Sequence, residues 1–294
     1  MTEVLLKFAH ISDTHLVPGD HQEFRPHHYS ERLLSLFKEA FERGEIGHRE
    51  GPKPSAASRA LIDEINRLPF ELDFVLHTGD IQTDPDTVEE YEATRTVMAA
   101  LNYPIYYLPG NHDLLDGVRS LMPAVAVESE TFDYVIDRGG VRVICLDSAT
   151  HGHDHAGGVS EAQLSWLRDR LAEVPDARLI VAVHHPPLSF GFKMLDLFGF
   201  ANGEALHHVL KSAAPRVQVV LSGHVHQSVD IIQDGIYYTC VQCPTGQIAF
   251  WPGLDAVSQS APDNYGFNVV IVTAERTYVR RYPYHLNGRG TGEA

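Results

Sequence analysis

Five short stretches of the chain carry acid, amide and imidazole side chains at close spacing. They are Ser12-Asp13-Thr14-His15, His77-Thr78-Gly79-Asp80, Gly110-Asn111-His112-Asp113, His184-His185-Pro186-Pro187 and Ser222-Gly223-His224-Val225-His226. Histidine is the side chain that proteins use most to bind transition metals, and the chain has 18 of them. The set Asp13, His15, Asp80, Asn111, His184, His224 and His226 offers carboxylate, amide and imidazole without thiolate. That mixture suits borderline ions such as Mn, Fe, Zn or Co. It holds more ligands than one catalytic ion with an open position needs. Shared between two ions by a bridging carboxylate, the set leaves room for water on each. Paired ions about 3.5–4 Å apart are a recurring arrangement for cleaving phosphate esters.

Each stretch alone has an ordinary reading. Asp-x-His is frequent in loops, Gly-Asp after a strand is a common turn, and Pro109-Gly110-Asn111 is a turn in its own right. His224-x-His226 on a strand would point to opposite faces, unless the chain leaves the strand at Gly223. The elements that position them decide the matter. Apolar runs rich in β-branched residues occupy 4–11, 74–76, 105–108, 141–146, 179–183 and 217–221. Four of the five polar stretches directly follow one of these runs, and the stretch at 110–113 follows 105–108 after Pro109. In open α/β sheets, ligands bind at the carboxyl ends of the strands, so parallel neighbours would bring the polar groups to one place.

Helical patterns lie between several of the runs, at 88–101, 161–171 and 203–210, with Ser160 and Gln163 spaced as a capping box. The last third reads as short strands at 229–232, 236–240, 267–273 and 277–282, with Asp234-Gly235 as a hairpin turn. The fold class is therefore α/β turning β-rich, a layered arrangement of two sheets with outer helices. No linker divides it, so 1–286 is expected to be one domain and 287–294 a flexible tail. The segment 19–54 is a long His-rich insertion around a helix at 30–43.

Composition narrows the function classes. The 294-residue chain is globular in composition, 44% hydrophobic and 21% charged, with a formal net charge of −16. Such a chain repels nucleic-acid backbones, and no nucleic-acid partner is expected. No apolar run is long enough for a membrane span, and the start MTEVLLKFAH lacks the pattern of a signal peptide. Three cysteines, Cys145, Cys240 and Cys243, suit a reducing, cytoplasmic compartment. Cys240-x-x-Cys243 has no second pair beside it and reads as structural.

Taken in order, Asp13-x-His15, Gly79-Asp80, Gly110-Asn111-His112-Asp113, His184 and Gly223-His224-Val225-His226 resemble the signature of the calcineurin-like metallophosphoesterases. The likeness runs from about Phe8 to His226. The stretch HGHDHAGGVSEAQLSWL at 151–167, with HHPP, is similar to the bacterial class III cyclic-nucleotide phosphodiesterases and their glycerophosphodiesterase relatives. The resemblance implies a four-layer α/β/β/α sandwich and two metal ions, with iron and manganese favoured. It assigns Asp13, His15 and His226 to one ion, and Asn111, His184 and His224 to the other. Asp80 bridges them, and His112 faces the phosphate. His184 rather than His185 is the ligand, because the pattern is His-x-Pro directly after the strand. His185 and His153 are then candidate substrate contacts.

The implied activity is hydrolysis of a small soluble phosphodiester, a cyclic nucleotide or a glycerophosphodiester. A metal-held hydroxide would attack in line, and His112, oriented by Asp113, would stabilise charge or protonate the leaving oxygen. A phosphomonoesterase is the alternative; a nuclease or a non-catalytic scaffold is less favoured, since every ligand position is filled. His10 and His77 are expected to be satisfied core residues. His151, His153 and His155 crowd a Gly-rich loop at the rim. His21, His27, His28 and His48 are expected to be mostly solvated, with one or two covering the site. The segments 19–54 and 243–263 depart from the family pattern and are candidates for lining the substrate pocket. A homo-oligomer is expected by resemblance alone.

Overall fold

The computed structural model describes residues 3–20, 28, 30–42, 52–125, 127, 129–153, 155–246, 250–253, 256–257 and 265–286. The first half runs β1 (Val4–Ile11), α1 (Glu31–Glu42), α2 (Pro54–Asn66), β2 (Phe74–His77), α3 (Glu92–Met98), β3 (Ile105–Tyr107), α4 (Leu115–Leu121), β4 (Tyr134–Arg138) and β5 (Val141–Leu146). The second half continues α5 (Glu161–Ala172), β6 (Arg178–Val183), α6 (Lys193–Asp196), α7 (Gly203–Lys211), β7 (Val217–Ser222), β8 (Asp230–Gln233) and β9 (Ile236–Cys240). It ends with a small pair, β10 (Phe250–Trp251) and β11 (Ala256–Val257), then β12 (Tyr265–Thr273) and β13 (Thr277–Tyr284).

Two mixed sheets form. One has the order β13-β12-β1-β2-β3, the other β4-β5-β6-β7-β9-β8. Within the first, β1, β2 and β3 are parallel; within the second, β5, β6, β7 and β9 are parallel. The period-2 alternation of β1 places Leu6 and Phe8 on one face, Ala9 and Ile11 on the other. Leu6 and Phe8 pack with Leu76, Val270, Val143, Ile180 and Leu221, joining the two sheets face to face. Ala9 and Ile11 pack under Leu61 and Ile65 of α2. On the far side of the second sheet, Leu164 and Leu167 of α5 and Leu206 and Leu210 of α7 cover Ile144, Val181 and Val220. The order of layers is thus helix, sheet, sheet, helix, as the resemblance implied. The capping box of α5 is present: Gln163 N–H donates to Ser160 Oγ at 3.2 Å, and Ser160 N–H to Gln163 Oε1 at 2.9 Å. Among the described residues no helix is long and apolar enough to cross a membrane.

The helix expected at 88–101 is instead a 3-10 turn, Val88–Tyr91, leading into the shorter α3. Helix α4 follows the third polar stretch and was not expected. Its interior Gly117 lowers helix propensity, but the ring of Tyr91 occupies the space a side chain would need. A Cβ at Gly117 would lie 2.0 Å from Tyr91 Cε2. Gly117→Ala should therefore lower the melting temperature. Overpacking costs about 1–3 kcal/mol and exceeds the roughly 1 kcal/mol that alanine gains as a helix former. An unchanged or raised midpoint would show that the Tyr91 ring gives way.

Candidate metal centre

The five polar stretches lie at the carboxyl ends of β1, β2, β3, β6 and β7, on the same edge of the two sheets. Three of them, after β1, β2 and β7, leave their strands through backbone that non-glycine residues seldom adopt. Asp13, His15, Asp80, His224 and His226 all have positive φ, between 46° and 68°. A left-handed residue turns the chain sharply and costs energy, so such conformations persist where the surroundings enforce them. The chain leaves β7 at Gly223, as expected, since the strand ends at Ser222. The turn is carried by His224 and His226, whereas Gly223 is required for closeness: a Cβ there would meet Ser12 Oγ at 1.9 Å and Asp13 Oδ2 at 2.6 Å. That contact lets the His224 N–H donate to both oxygens of Asp13, each at 3.1 Å.

Two groups of possible ligand atoms result. Asp13, His15, Asp80 and His226 place one such atom each within 4.8 Å of one another, and so do His184, His185 and His224. His15 Nε2 and His226 Nε2 are 3.1 Å apart, and His226 Nε2 is 3.4 Å from Asp13 Oδ1. Asp80 Oδ2 lies between the groups, 3.8 Å from His15 Nε2 and 3.3 Å from His184 Nε2. Asn111 Oδ1 approaches His184 Nε2 at 3.2 Å. All seven residues expected as ligands are brought together.

The outer ring nitrogens face acceptors. His184 Nδ1 is 2.8 Å from the Thr78 carbonyl, His226 Nδ1 2.6 Å from that of Gly246, and His224 Nε2 2.8 Å from that of Phe198. Each carbonyl accepts a hydrogen bond from the N–H it faces, so in the neutral ring the other nitrogen presents a lone pair to the centre. Among the described residues His224 Nδ1 is buried and has no hydrogen-bond partner. Converging lone pairs beside two buried carboxylates are a donor set that cations fit.

The charges agree. Burial opposes ionisation of Asp13 and Asp80, but the facing imidazoles, His226 and His184, hold both carboxyls below their usual range. Burial also disfavours a charged His184, yet Asp80 and then Asp13 push it up to about 9. Burial and the neighbouring His184 push His224 down to about 3. Without ions, the chain balances its carboxylates with protons on imidazoles; metal binding displaces such protons.

His112 sits beside the centre, its backbone N–H donating to Asp80 Oδ1 at 3.0 Å. The partner expected for its ring was Asp113, and this is corrected. His112 Nδ1 is 2.7 Å from Asp84 Oδ1. Burial works against a charged His112, but Asp80 and the Asp84 contact outweigh it and hold its pKa above the ordinary value. Asp113 instead accepts from the N–H groups of Ile81, Gln82 and Gly110 and from Tyr91 Oη. It ties the Asp80 loop to the Asn111 loop. Asp84 was missed because Asp-Pro-Asp at 84–86 reads as turn chemistry. Its positive φ, 47°, aims the carboxylate inward and has no signature in sequence.

The two expected substrate contacts are placed otherwise. His185 is fully buried, its Nδ1 2.8 Å from Ser148 Oγ and its ring packed on His184 and His224. His153 is exposed, and its backbone closes a turn with Ala156. His155 is the loop histidine that reaches the centre, with Nδ1 2.7 Å from Asn111 Nδ2 and its ring 4.8 Å from that of His112. A cavity of about 270 Å³ opens here, lined by Asn111, Asp113, Thr150, Gly152, His155 and His28. From the insertion, His28 is 3.1 Å from Asp86 Oδ1, while His21, His27 and His48 lie outside the described residues. Of the 243–263 segment, Gly246 holds His226 and Thr245 Oγ1 donates to the Asp13 carbonyl at 3.4 Å. The described part thus braces the centre; 247–249, 254–255 and 258–263 lie outside the described residues. All three cysteines are buried free thiols.

His10 and His77 are satisfied core residues, as expected. His10 Nε2 meets Thr78 Oγ1 at 3.0 Å and His77 Nε2 meets Thr14 Oγ1 at 2.9 Å. Burial, reinforced by the nearby His77, pushes His10 down to about 3. Its contribution to stability is complete above the unfolded value near 6.5 and is lost as pH falls from there toward 3. Between those values the unfolded chain carries a proton that the folded chain refuses. Urea unfolding between pH 6 and 4 should therefore show a pH slope smaller by about 1.4 kcal/mol per pH unit in His10→Gln than in the unsubstituted protein. Equal slopes would show that His10 protonates in the fold.

Comparison with known proteins accords with this geometry. The sequence profile described as calcineurin-like phosphoesterase matches residues 6–228. The chain is 32% identical to a probable glycerophosphodiester phosphodiesterase, GpdQ, of Arcobacter nitrofigilis over 197 residues, 64% of this chain and 69% of that protein. It is 29% identical to a 3′,5′-cyclic-nucleotide phosphodiesterase of Nostoc over 245 residues, 81% of this chain and 87% of the relative. Among solved structures, a dimetal phosphatase from Danio rerio superposes with a TM-score of 0.65 at 17% identity, covering 95% of this chain and 96% of that one. With its signature residues gathered at one edge of two facing sheets, the chain belongs to the calcineurin-like phosphoesterase family of hydrolases.

Proposed function

We propose that the chain is a dinuclear-metal phosphodiesterase acting on a small diester of the cyclic-nucleotide or glycerophosphodiester type. The observation that carries the reading is the position of Asp80, whose Oδ2 faces His15 on one side and His184 on the other. One buried carboxylate is thereby within reach of both ligand groups. Asp13, His15 and His226 would hold one ion, and Asn111, His184 and His224 the other. The preference for diesters is supported by the names of the relatives, two of which are phosphodiesterases of such substrates.

The ions, when bound, supply Lewis acidity toward phosphoryl oxygens and make a water acidic enough to ionise near neutral pH. The rest falls to the chain. The carbonyls of Thr78, Gly246 and Phe198 keep three imidazoles in the ligating tautomer. His112 stands at the rim of the centre, its ring 5.3 Å from that of His15. Asp84 accepts from His112 Nδ1–H, and the negative charges of Asp80 and Asp84 favour the doubly protonated ring, so that Nε2 can carry a second proton. That proton can stabilise charge developing on phosphate or pass to the leaving alkoxide. Asn111 contributes an uncharged oxygen, which limits the repulsion an anionic substrate would meet.

Two measurements test this. Metal analysis of the purified protein should find two ions per chain, and Asp80→Ala should lose both occupancy and turnover. A variant that still holds two ions would overturn the bridging role. His112→Ala should keep its ions and lose about 10²–10⁴-fold in turnover of bis-p-nitrophenyl phosphate. The unsubstituted protein should cleave that diester faster than p-nitrophenyl phosphate; the reverse order would favour a phosphomonoesterase.

A further inference from the structure

We infer that His155 is a positioning residue that locks the side-chain amide of Asn111, so that its oxygen, and not its nitrogen, faces the second metal position. The inference rests on the proposed reading of Asn111 as a ligand and goes beyond it. An amide has an oxygen that can ligate a cation and an NH₂ group that cannot. The two ends are nearly equal in shape, so only the partners decide which one points inward. At Asn111 the outer partner is His155, with Nδ1 2.7 Å from Nδ2, and the inner neighbour is His184, with Nε2 3.2 Å from Oδ1. With an ion between Oδ1 and His184 Nε2, the outward NH₂ needs an acceptor. His155 Nδ1 is that acceptor when the ring carries its proton on Nε2. Without it, the amide can rotate and offer N–H groups to a cation.

The loop around His155 is built to hold that nitrogen in place. Its own φ is 64°, a left-handed value for a non-glycine residue. The turn is closed on both sides, with His153 N–H donating to the Ala156 carbonyl at 3.0 Å and Ala156 N–H to that of His153 at 2.9 Å. The root of the loop is tied down by Asp147. Its carboxylate accepts from the N–H groups of Ala149 and Thr150 and from Thr150 Oγ1. Gly158 N–H returns to the Ser148 carbonyl at 2.9 Å. A strained residue in a clamped turn is a costly way to decorate a surface. It is a direct way to fix one ring nitrogen against one amide.

Titration of metal-free protein with Mn²⁺, followed by calorimetry, separates the outcomes. The unsubstituted protein should bind two ions with resolvable affinities. His155→Ala should weaken one position, the same one that Asn111→Ala weakens, about 10–100-fold, as loss of an outer partner does at metal sites, and leave the other unchanged. His155→Asn, whose Oδ1 is as many bonds from Cα as Nδ1 of histidine, should restore most of the lost affinity. Asn111→Ala sets the scale for complete loss of the ligand. If the unsubstituted protein binds fewer than two ions, the two-metal reading itself fails. If it binds two and His155→Ala binds them with unchanged affinity, the reading stands and the positioning role is overturned. Equal weakening of both positions, or no rescue by His155→Asn, would reduce His155 to a residue that merely supports the fold.

Discussion

Where the parallel strands of the two sheets end, the protein buries two carboxylates, Asp13 and Asp80, each at about 1% exposure or less. A buried charge without compensation is very costly, and much of the local architecture answers to that constraint. Opposite charge must be brought to the same spot, and imidazoles that can bind cations are what the chain brings. They come from strands in two different sheets, so the sheets must face each other with their parallel strands ending on one edge. The strands must also stop abruptly, because an extended chain would carry the ligands away on alternating faces. Hence the run of left-handed residues at Asp13, His15, Asp80, His224 and His226. Their conformational cost is held in place by the tightly packed apolar layer between the sheets.

Much of this was legible in the sequence, and for a physical reason. Buried parallel strands are nearly continuous apolar runs, so their ends are sharply marked and the polar groups that follow stand out. The seven ligand candidates and the α/β/β/α order came from that contrast and from the resemblance it supported. What escaped was set by side-chain direction within loops. Asp113 follows His112 in sequence and looked like its partner, but a residue next along a tight turn points elsewhere. The carboxylate that reaches the ring, Asp84, comes from another loop. The same error made His153 a candidate where His155 is the residue in place. Helix α4 was hidden because Gly117, a poor helix former, is demanded by the ring of Tyr91.

The loops also show how one side chain can organise several. Asp113, half-buried, gathers three backbone N–H groups and a tyrosine hydroxyl. The stretch from Asp80 to Asn111 is thereby held as a unit, with Asp84 and His112 facing each other inside it. In sequence, Asp113 and Asp84 are merely two acids in turns. In the fold one is a clamp for backbone and the other a partner for an imidazole, a division of labour that spacing alone does not encode.

The partners of His184, His224 and His226 on their outer side are backbone carbonyls, not carboxylates. These neutral groups fix the rings without adding formal charge. Under the proposed reading, Asp13 and Asp80 are then the only anionic ligands set against two ions. Two divalent ions would leave the centre with excess positive charge inside a chain of formal charge −16. An anionic ester approaching this molecule would meet repulsion over much of its surface and attraction at one edge. That contrast would make the long-range field a filter: it disfavours loose binding elsewhere on the protein and concentrates the substrate where the strands end.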